Sequence, residues 1–411
     1  MKLTRFILLI SLVFTGSKMY SQQVDPLKAD SLKADSIAKE TSTFKITGYV
    51  DFNYFKNLND PRSGNNTGLS GYARAFDQKE NQFQLGLAQT KLSYSRYKSD
   101  VVLDLTFGPH ADLGNYGNVL GPFGNGKATT ALAIKQAYFN YRFTSKFTLT
   151  AGQFGTHVGY EVIDAPINYN YSLSNLFNNG PFYHIGIKGS YAASSKVNLM
   201  AGLVNNWDNL YDNNSFKTVI AQLNYNPNKK MAIYLNYVGG NENTQPYPNT
   251  RKDSLHAKKQ LLDLVVTWNV TSKFYIGLNV VGGAASGLAV KPGDTTNTLV
   301  KMTHNWGGAA LYTNYQFCKL FGLGIRAEFF DNTGGVMYIG KTDVKSITIT
   351  PRFSLDKDHL YIKPEFRMDV YKKIAYTGPA SGNVQQFEDS KGNYTKNSQI
   401  TIGVAFVYVF N

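Results

Sequence analysis

The sequence predicts an all-β chain folded as a transmembrane antiparallel β-barrel of the outer membrane, with about sixteen strands. Three observations carry this expectation. Segments in which residues of opposite character alternate with a period of two recur from Phe44 to the C-terminus. The connections between them alternate long and short along the whole chain. The last strand, 399–410, ends on an aromatic residue followed only by Asn411.

Taken from the N-terminus, Lys2 and Arg5 precede a short apolar core, 6–16, and Ser21 offers a small residue before Gln22, so residues 1–21 read as a signal peptide. The apolar run is too short for a bilayer core of about 30 Å, which implies export and not anchoring. No Cys lies near the cut. The single cysteine, Cys318, gives the mature protein neither an internal disulfide nor a cysteine metal cluster. Residues 22–43 contain Leu-Lys-Ala-Asp-Ser twice, at 27–31 and 32–36. A five-residue period holds no apolar helix face, so this segment reads as a flexible periplasmic leader.

The barrel is expected over 44–411. No later stretch could be a transmembrane helix, yet the chain holds 28 Tyr, 26 Phe and 37 Gly, a composition suited to a wall with one face in lipid and one in water. Leu360–Val370 shows the pattern best: Leu360, Ile362, Phe366, Met368 and Val370 share one face, and Tyr361, Lys363, Glu365, Arg367 and Asp369 the other. Pro364 interrupts it, because proline removes a ladder hydrogen bond. Comparable segments lie near 44–55, 82–97, 100–109, 130–143, 147–157, 182–192, 196–206, 215–226, 230–239, 259–269, 273–283, 302–317, 320–331, 343–354, 358–371 and 398–410. Turns of a few residues alternate with long connections such as 56–81, 110–129, 158–181 and 372–397. Tight periplasmic turns, long outer loops, an even strand number and both termini in the periplasm are the plan of an outer-membrane barrel. A soluble sandwich or propeller has no reason to alternate its loops so regularly. In the closing strand Phe406, Tyr408 and Phe410 belong to the bulky face, placed for lipid at the seam with the first strand.

Formal charge is +14, and +11 once Lys2, Arg5 and Lys18 leave with the signal peptide. Lys98, Lys146, Lys196, Lys229, Lys230, Lys273, Lys319 and Lys357 stand in or beside the short turns. Such a rim suits anionic lipid headgroups and not nucleic acid. Gly121–Lys127 falls one residue short of a phosphate-binding loop: Ala128 replaces the hydroxyl, and a strand follows where a helix is required. The six His residues are dispersed, with no paired metal-ligand spacing, so neither metal nor cofactor is expected.

The stretch Ala151-Gly-Gln-Phe-Gly-Thr-His-Val-Gly-Tyr-Glu-Val-Ile-Asp164, followed by Asn168-Tyr-Asn-Tyr-Ser172 and Gly180-Pro-Phe-Tyr-His-Ile-Gly186, resembles the β-barrel porins of the OmpL-like group. Ile46-Thr-Gly-Tyr-Val-Asp51, Asp104–Pro109 and Ile134–Tyr138 resemble that group as well. The resemblance is strong over 44–207 and architectural beyond. It implies a pore in the outer membrane without implying a particular solute. Gly152, Phe154, Gly155, Gly159, Gly180, Pro181, Phe182 and Gly186 are its structural positions.

This stretch reads as a strand, an inward-folding loop and a return strand, with glycines permitting the bends. His157, Tyr160, Glu161, Asp164, Asn168, Asn170, Tyr171, His184 and Lys188 are then the candidates for a constriction. Alternation places Lys135, Arg142, Lys188, Arg326, Lys345, Lys363 and Arg367 inward, with Asp51, Asp104, Asp263, Glu328, Glu365 and Asp369 among the inward acids. The expected activity is passive diffusion of small hydrophilic solutes with weak anion preference, without catalysis. Its partners are those solutes, outer-membrane lipid, the barrel-assembly machinery and, where the barrel self-associates, further copies of the chain. Two alternatives stay open: a hydrolase drawing on His157, His184, Glu161 or Asp164, and a receptor or scaffold acting through the long loops.

Overall fold

A computed structural model of the chain describes residues 42–114, 133–210, 212, 216–242, 258–290, 299–372 and 385–411. Residues 1–41, expected to be signal peptide and leader, and the glycine-rich 121–128 lie outside the described residues. The strands are β1 (Ser42–Asn57), β2 (Gln82–Arg96), β3 (Ser99–Phe107), β4 (Ile134–Arg142), β5 (Phe147–Gly155), β6 (Tyr183–Ala192), β7 (Val197–Val204), β8 (Thr218–Asn228), β9 (Met231–Asn241), β10 (Lys258–Asn269), β11 (Phe274–Val290), β12 (Leu299–Gln316), β13 (Phe321–Asp331), β14 (Asp343–Leu355), β15 (Leu360–Tyr371), β16 (Phe387–Glu388), β17 (Tyr394–Lys396) and β18 (Ser398–Phe410).

Along β14 and β15 every second residue is buried, without a break from end to end. The buried set on β15 is Tyr361, Lys363, Glu365, Arg367, Asp369 and Tyr371, so the interior is polar and the exterior apolar. That inverted alternation suits a wall between lipid and an enclosed polar space. β1–β15 and β18 form one closed barrel of sixteen strands, as the sequence predicts, and β16 and β17 form a separate small sheet. β18 pairs antiparallel with both β15 and β1, and the register from Gly48↔Phe410 to Asn57↔Thr401 closes the seam. Closure leaves no unpaired strand edge facing lipid, where each orphaned backbone group would cost several kcal/mol. Phe406, Tyr408 and Phe410 are exposed on the outer face of this seam, and Phe52 of β1 stacks on Phe83 of β2 at 5.7 Å.

Four details depart from the expectation. β11 and β12 run for 17 and 18 residues, so their hairpin continues past residue 283, where the small residues Gly282–Gly287 masked the alternation. Pro364 stays inside β15, opposite Pro351 of β14. The ladder is interrupted between the pairs Ile349↔Phe366 and Phe353↔Ile362, so the two missing N–H groups fall in one gap. Lys345 faces outward and is exposed: Val344 and Ser346 are the inward residues, and Lys345 sits opposite Phe329 and Val370 near the outer end of β14. Two short helices, α1 (Pro109–Gly114) and α2 (Asn175–Asn178), lie within connections read as irregular.

The seam itself is tightly fitted. A Cβ on Gly403 would stand 2.2 Å from the Tyr54 carbonyl oxygen and 2.4 Å from the Phe55 ring, whereas one on Gly282 would meet nothing within 4 Å. Gly403→Val is therefore expected to cost on the order of 1–3 kcal/mol and to lower the yield of the heat-modifiable folded form on gels. Gly282→Ala should leave that yield at the native value.

Candidate functional site

The connection between β5 and β6 turns into the barrel and fills much of its interior. Its neck is set by local geometry. Gly152 takes φ +130, and a Cβ there would lie 2.3 Å from the Ala137 carbonyl oxygen. Gly155 N–H donates to Gln136 Oε1 at 2.9 Å, and Thr156 N–H to the Phe182 carbonyl at 3.0 Å, which ties the two limbs together. Phe182 packs against Phe76 and Phe177, while Gly180 and Pro181 line a small cleft against Leu261 and Asp263. Gly186 lies on β6 against Val204.

The outgoing limb follows the wall strand by strand. His157 Nε2 lies 3.1 Å from the Tyr237 carbonyl on β9. Gly159, with φ +90, donates its N–H to Asp263 on β10 at 2.9 Å. Tyr160 N–H reaches Asn279 on β11 at 3.3 Å, and its ring stacks on Tyr312 of β12 at 3.9 Å. Glu161 accepts from Arg326 Nη1 of β13 at 2.6 Å. Four residues between 157 and 161 thus meet five consecutive strands, because the backbone runs round the wall rather than along a strand.

The chain then crosses the lumen. Asp164 accepts from Lys135 Nζ at 2.5 Å and from Gln89 at 2.8 Å, on β4 and β2. Lys363 Nζ of β15 donates to the carbonyls of Ala165 and Asn168 at 2.6 and 2.7 Å. Asn168 ties the turn by accepting from Val162 N–H at 3.1 Å. The Arg352 guanidinium lies 4.2 Å from the Tyr169 ring centre. Asn170 donates to Thr350 Oγ1 at 2.7 Å. Tyr171 donates its N–H to Glu365 and its hydroxyl to Asp51, both at 2.7 Å, and its ring stacks on Phe55 at 5.7 Å. Arg367 Nη1 donates to the Leu173 carbonyl at 2.6 Å. Glu328 accepts from Asn175 N–H, the first residue of α2, at 2.8 Å.

Charged side chains hold this segment from both walls. Arg326, Arg367 and Lys363 are fully buried, and each donates to a loop carbonyl. Arg367 and Arg74 both reach Asp369, at 2.9 and 2.8 Å, so the connection between β1 and β2 joins the same network. Desolvation makes such pairs poor net stabilisers, yet removing one partner strands the other at a cost of about 3–5 kcal/mol.

The sequence candidates therefore fall into two groups. Glu161, Asp164, Asn168, Asn170 and Tyr171 lie on the crossing segment, with Tyr160 at its start. His157, His184 and Lys188 gather at the neck: the two imidazole rings are 5.8 Å apart, His184 Nε2 lies 3.1 Å from Thr156 Oγ1, and Lys188 Nζ lies 4.1 Å from the Phe154 ring centre. Glu161 and Asp164 are bound to different strands, so the four groups of the hydrolase alternative do not converge. Among the described residues, no group of three His, Cys, Asp or Glu is placed to hold a metal ion. Arg74, its buried partner Asp77 and Arg352 lie outside the sequence expectation. Arg352 follows the alternation of β14, so its inward position was readable. Arg74 and Asp77 stand in an irregular connection that carries no periodic signal.

Interior exposure is uneven. On β14 and β15 the inward residues stay buried down to Ser354 and Tyr361 at the turn end. On β4, β6 and β7 the inward Asn140, Lys188, Ser190 and Met200 are half-exposed.

Residues 43–410 match the family described as "Putative beta-barrel porin-2, OmpL-like". No curated protein matches the sequence. Among solved structures, the chain is similar to an anion-selective porin from Comamonas acidovorans, with a TM-score of 0.56 and 11% identity over 90% of this chain and 100% of that one. The trimer form of in-vitro folded OmpT of Vibrio cholerae gives a TM-score of 0.54 and 10% identity over 90% and 100%. The outer membrane channel DcaP of Acinetobacter baumannii gives 0.54 and 8% over 90% and 97%. At such identities these likenesses speak to the fold alone.

Lys363→Met removes the cation beneath Ala165 and Asn168 while keeping the stem that fills the wall. Hydrogen exchange should then show amides 165–172 losing protection by about tenfold or more, on the order of 1.5–3 kcal/mol for bonds to a charged donor. The β10–β13 ladder amides should stay protected.

Proposed function

Because the chain belongs to the OmpL-like porin-2 family of β-barrels, we propose that it is an outer-membrane channel through which small hydrophilic solutes diffuse passively, constricted by residues 156–182. The observation that carries the reading is the course of that segment, which passes along β9–β13, crosses to Lys135 and Gln89, and is bound by Lys363, Glu365 and Asp51. The remaining aqueous route then follows the side of β4, β6 and β7, where Asn140, Lys188, Ser190 and Met200 keep part of their exposure. Lys188 borders this route.

Selectivity in this reading is weakly anionic. Arg326, Arg367 and Lys363 spend their donors on loop carbonyls and carboxylates, which leaves a wall of matched charges and little net field. Screening over about 8 Å at 0.15 M salt reduces the remainder further. Passage needs no catalysis, nucleotide or metal. In this reading the barrel is delivered by a signal peptide over 1–21 and is matured by the barrel-assembly machinery with both termini periplasmic; for self-association, the trimer form of OmpT offers a precedent.

Planar-bilayer recordings of the refolded protein test this directly. Discrete conductance steps are expected; their absence, with the barrel intact, would overturn the channel reading in favour of a receptor or scaffold. Replacing Asn168–Ser172 by a shorter glycine linker should raise single-channel conductance, and an unchanged value would place the constriction elsewhere. Lys188→Glu should shift the reversal potential in a salt gradient towards cations.

A further inference from the structure

Both the first residue of β1 and the last of β18 lie at the end of the barrel that carries the short turns. Three of these turns are built alike: Thr144-Ser-Lys146-Phe147, Ser194-Ser-Lys196-Val197 and Thr271-Ser-Lys273-Phe274. In each, the first hydroxyl accepts from the backbone N–H of the lysine and of the apolar residue after it. The distances are 3.1 and 2.9 Å at Thr144, 3.2 and 3.1 Å at Ser194, and 3.1 and 2.9 Å at Thr271. The hydroxyl shapes the turn through backbone groups and asks nothing of the lysine side chain. Lysine nevertheless occupies the same place three times, exposed each time. In a fourth turn Asn228 Oδ1 accepts from Lys230 N–H at 2.8 Å, with Lys229 beside it.

Lys98 and Lys319 extend the row to the turns at 97–98 and 317–320. These six turns, with 143–146, 193–196, 226–230 and 270–273, contain no Asp or Glu. The seventh is an exception, since Asp356 and Asp358 flank Lys357. A lipid-facing aromatic stands at each of the six: Tyr97, Phe143, Tyr191, Tyr225, Trp268 and Phe317, all at least 40% exposed. Aromatic rings facing outward at this level mark the interface of the bilayer, and the lysines lie on its polar side.

We propose that this rim binds the anionic phospholipid headgroups of the leaflet that meets the turns. A rim cation near an anionic surface gains attraction that falls away within a Debye length. The lysines stand beside the lipid-facing girdle around the perimeter, which favours headgroups over a soluble polyanion docking at the mouth. The inference needs the barrel to span a bilayer and holds whether or not the lumen conducts.

Trp268 reports on it. Of the three tryptophans, Trp207 and Trp306 are buried and Trp268 faces outward, opposite Met231 and hence beside Lys229 and Lys230, with Lys273 a few residues on. The full chain is reconstituted in vesicles of phosphatidylcholine and phosphatidylglycerol, with one or the other lipid brominated, and tryptophan quenching gives the relative occupancy at Trp268. Phosphatidylglycerol should be favoured about fivefold or more at low salt. The preference should approach unity in 1 M NaCl and in the triple variant Lys229→Ser, Lys230→Ser, Lys273→Ser, with heat-shifted gel mobility confirming that the variant has folded. Equal quenching by the two lipids in the native protein at low salt would overturn the proposal and point to a soluble polyanion. A preference that survives 1 M salt would also overturn it, and this arm does not depend on any variant folding.

Discussion

Everything in this molecule depends on the rule that backbone N–H and C=O groups in lipid must find partners within the protein. A sheet obeys it only by closing, so β18 must meet β1. Closure has two consequences for side chains. Each strand offers alternate residues to opposite media, and the inward set faces a space that the wall alone leaves polar. In a soluble sheet the interior would be the apolar side. Here Phe406 and Phe410 face outward while Arg367, Glu365 and Lys363 face inward.

An interior of charged groups must be either wet or paired. Along β8–β15 it is largely paired, and the partner is the segment 156–182. Its backbone supplies what a packed protein core rarely offers, a run of carbonyls and N–H groups free of secondary-structure bonds. Lys363 takes two carbonyls, Arg326 and Arg367 take one each, and Glu365 takes two N–H groups. The irregularity of the segment is thus a requirement of its position. A helix or hairpin there would satisfy itself and leave the wall charges uncompensated.

Much of this plan was legible in the sequence. The alternation along Leu360–Val370 and the rhythm of long and short connections were enough for a closed barrel of sixteen strands, since period two and turn length are local properties. The inward course of 156–182 was readable from its glycines and its Asn and Tyr residues. The wall positions of Arg326, Lys363 and Arg367 followed from alternation. Lys345 did not: it shares the parity of Ile347, Ile349 and Phe353, so the alternation of β14 turns it outward, and only its charge suggested the interior. The hairpin extension of β11 and β12 was hidden by glycine and alanine, which carry no alternating signal. Arg74 was hidden for a different reason: its partner, Asp369, is 295 residues away, and such pairing is a property of the closed barrel alone.

The same geometry decides where the excess positive charge resides. The chain is basic by +14, and a basic pore would be the simplest inference from that figure. Inside the barrel, though, most of the cations described here face carboxylates, Arg326 with Glu161, Arg367 and Arg74 with Asp369, Lys135 with Asp164, while Lys363 donates to loop carbonyls. Desolvation enforces that matching, because an unpaired charge in a narrow, protein-filled lumen costs several kcal/mol. At the turns water is free and no such penalty applies, so lysines can stand there without acids. Net charge therefore accumulates at the barrel's rim and not on its axis, and the basic composition reports on the membrane surface more than on the solute.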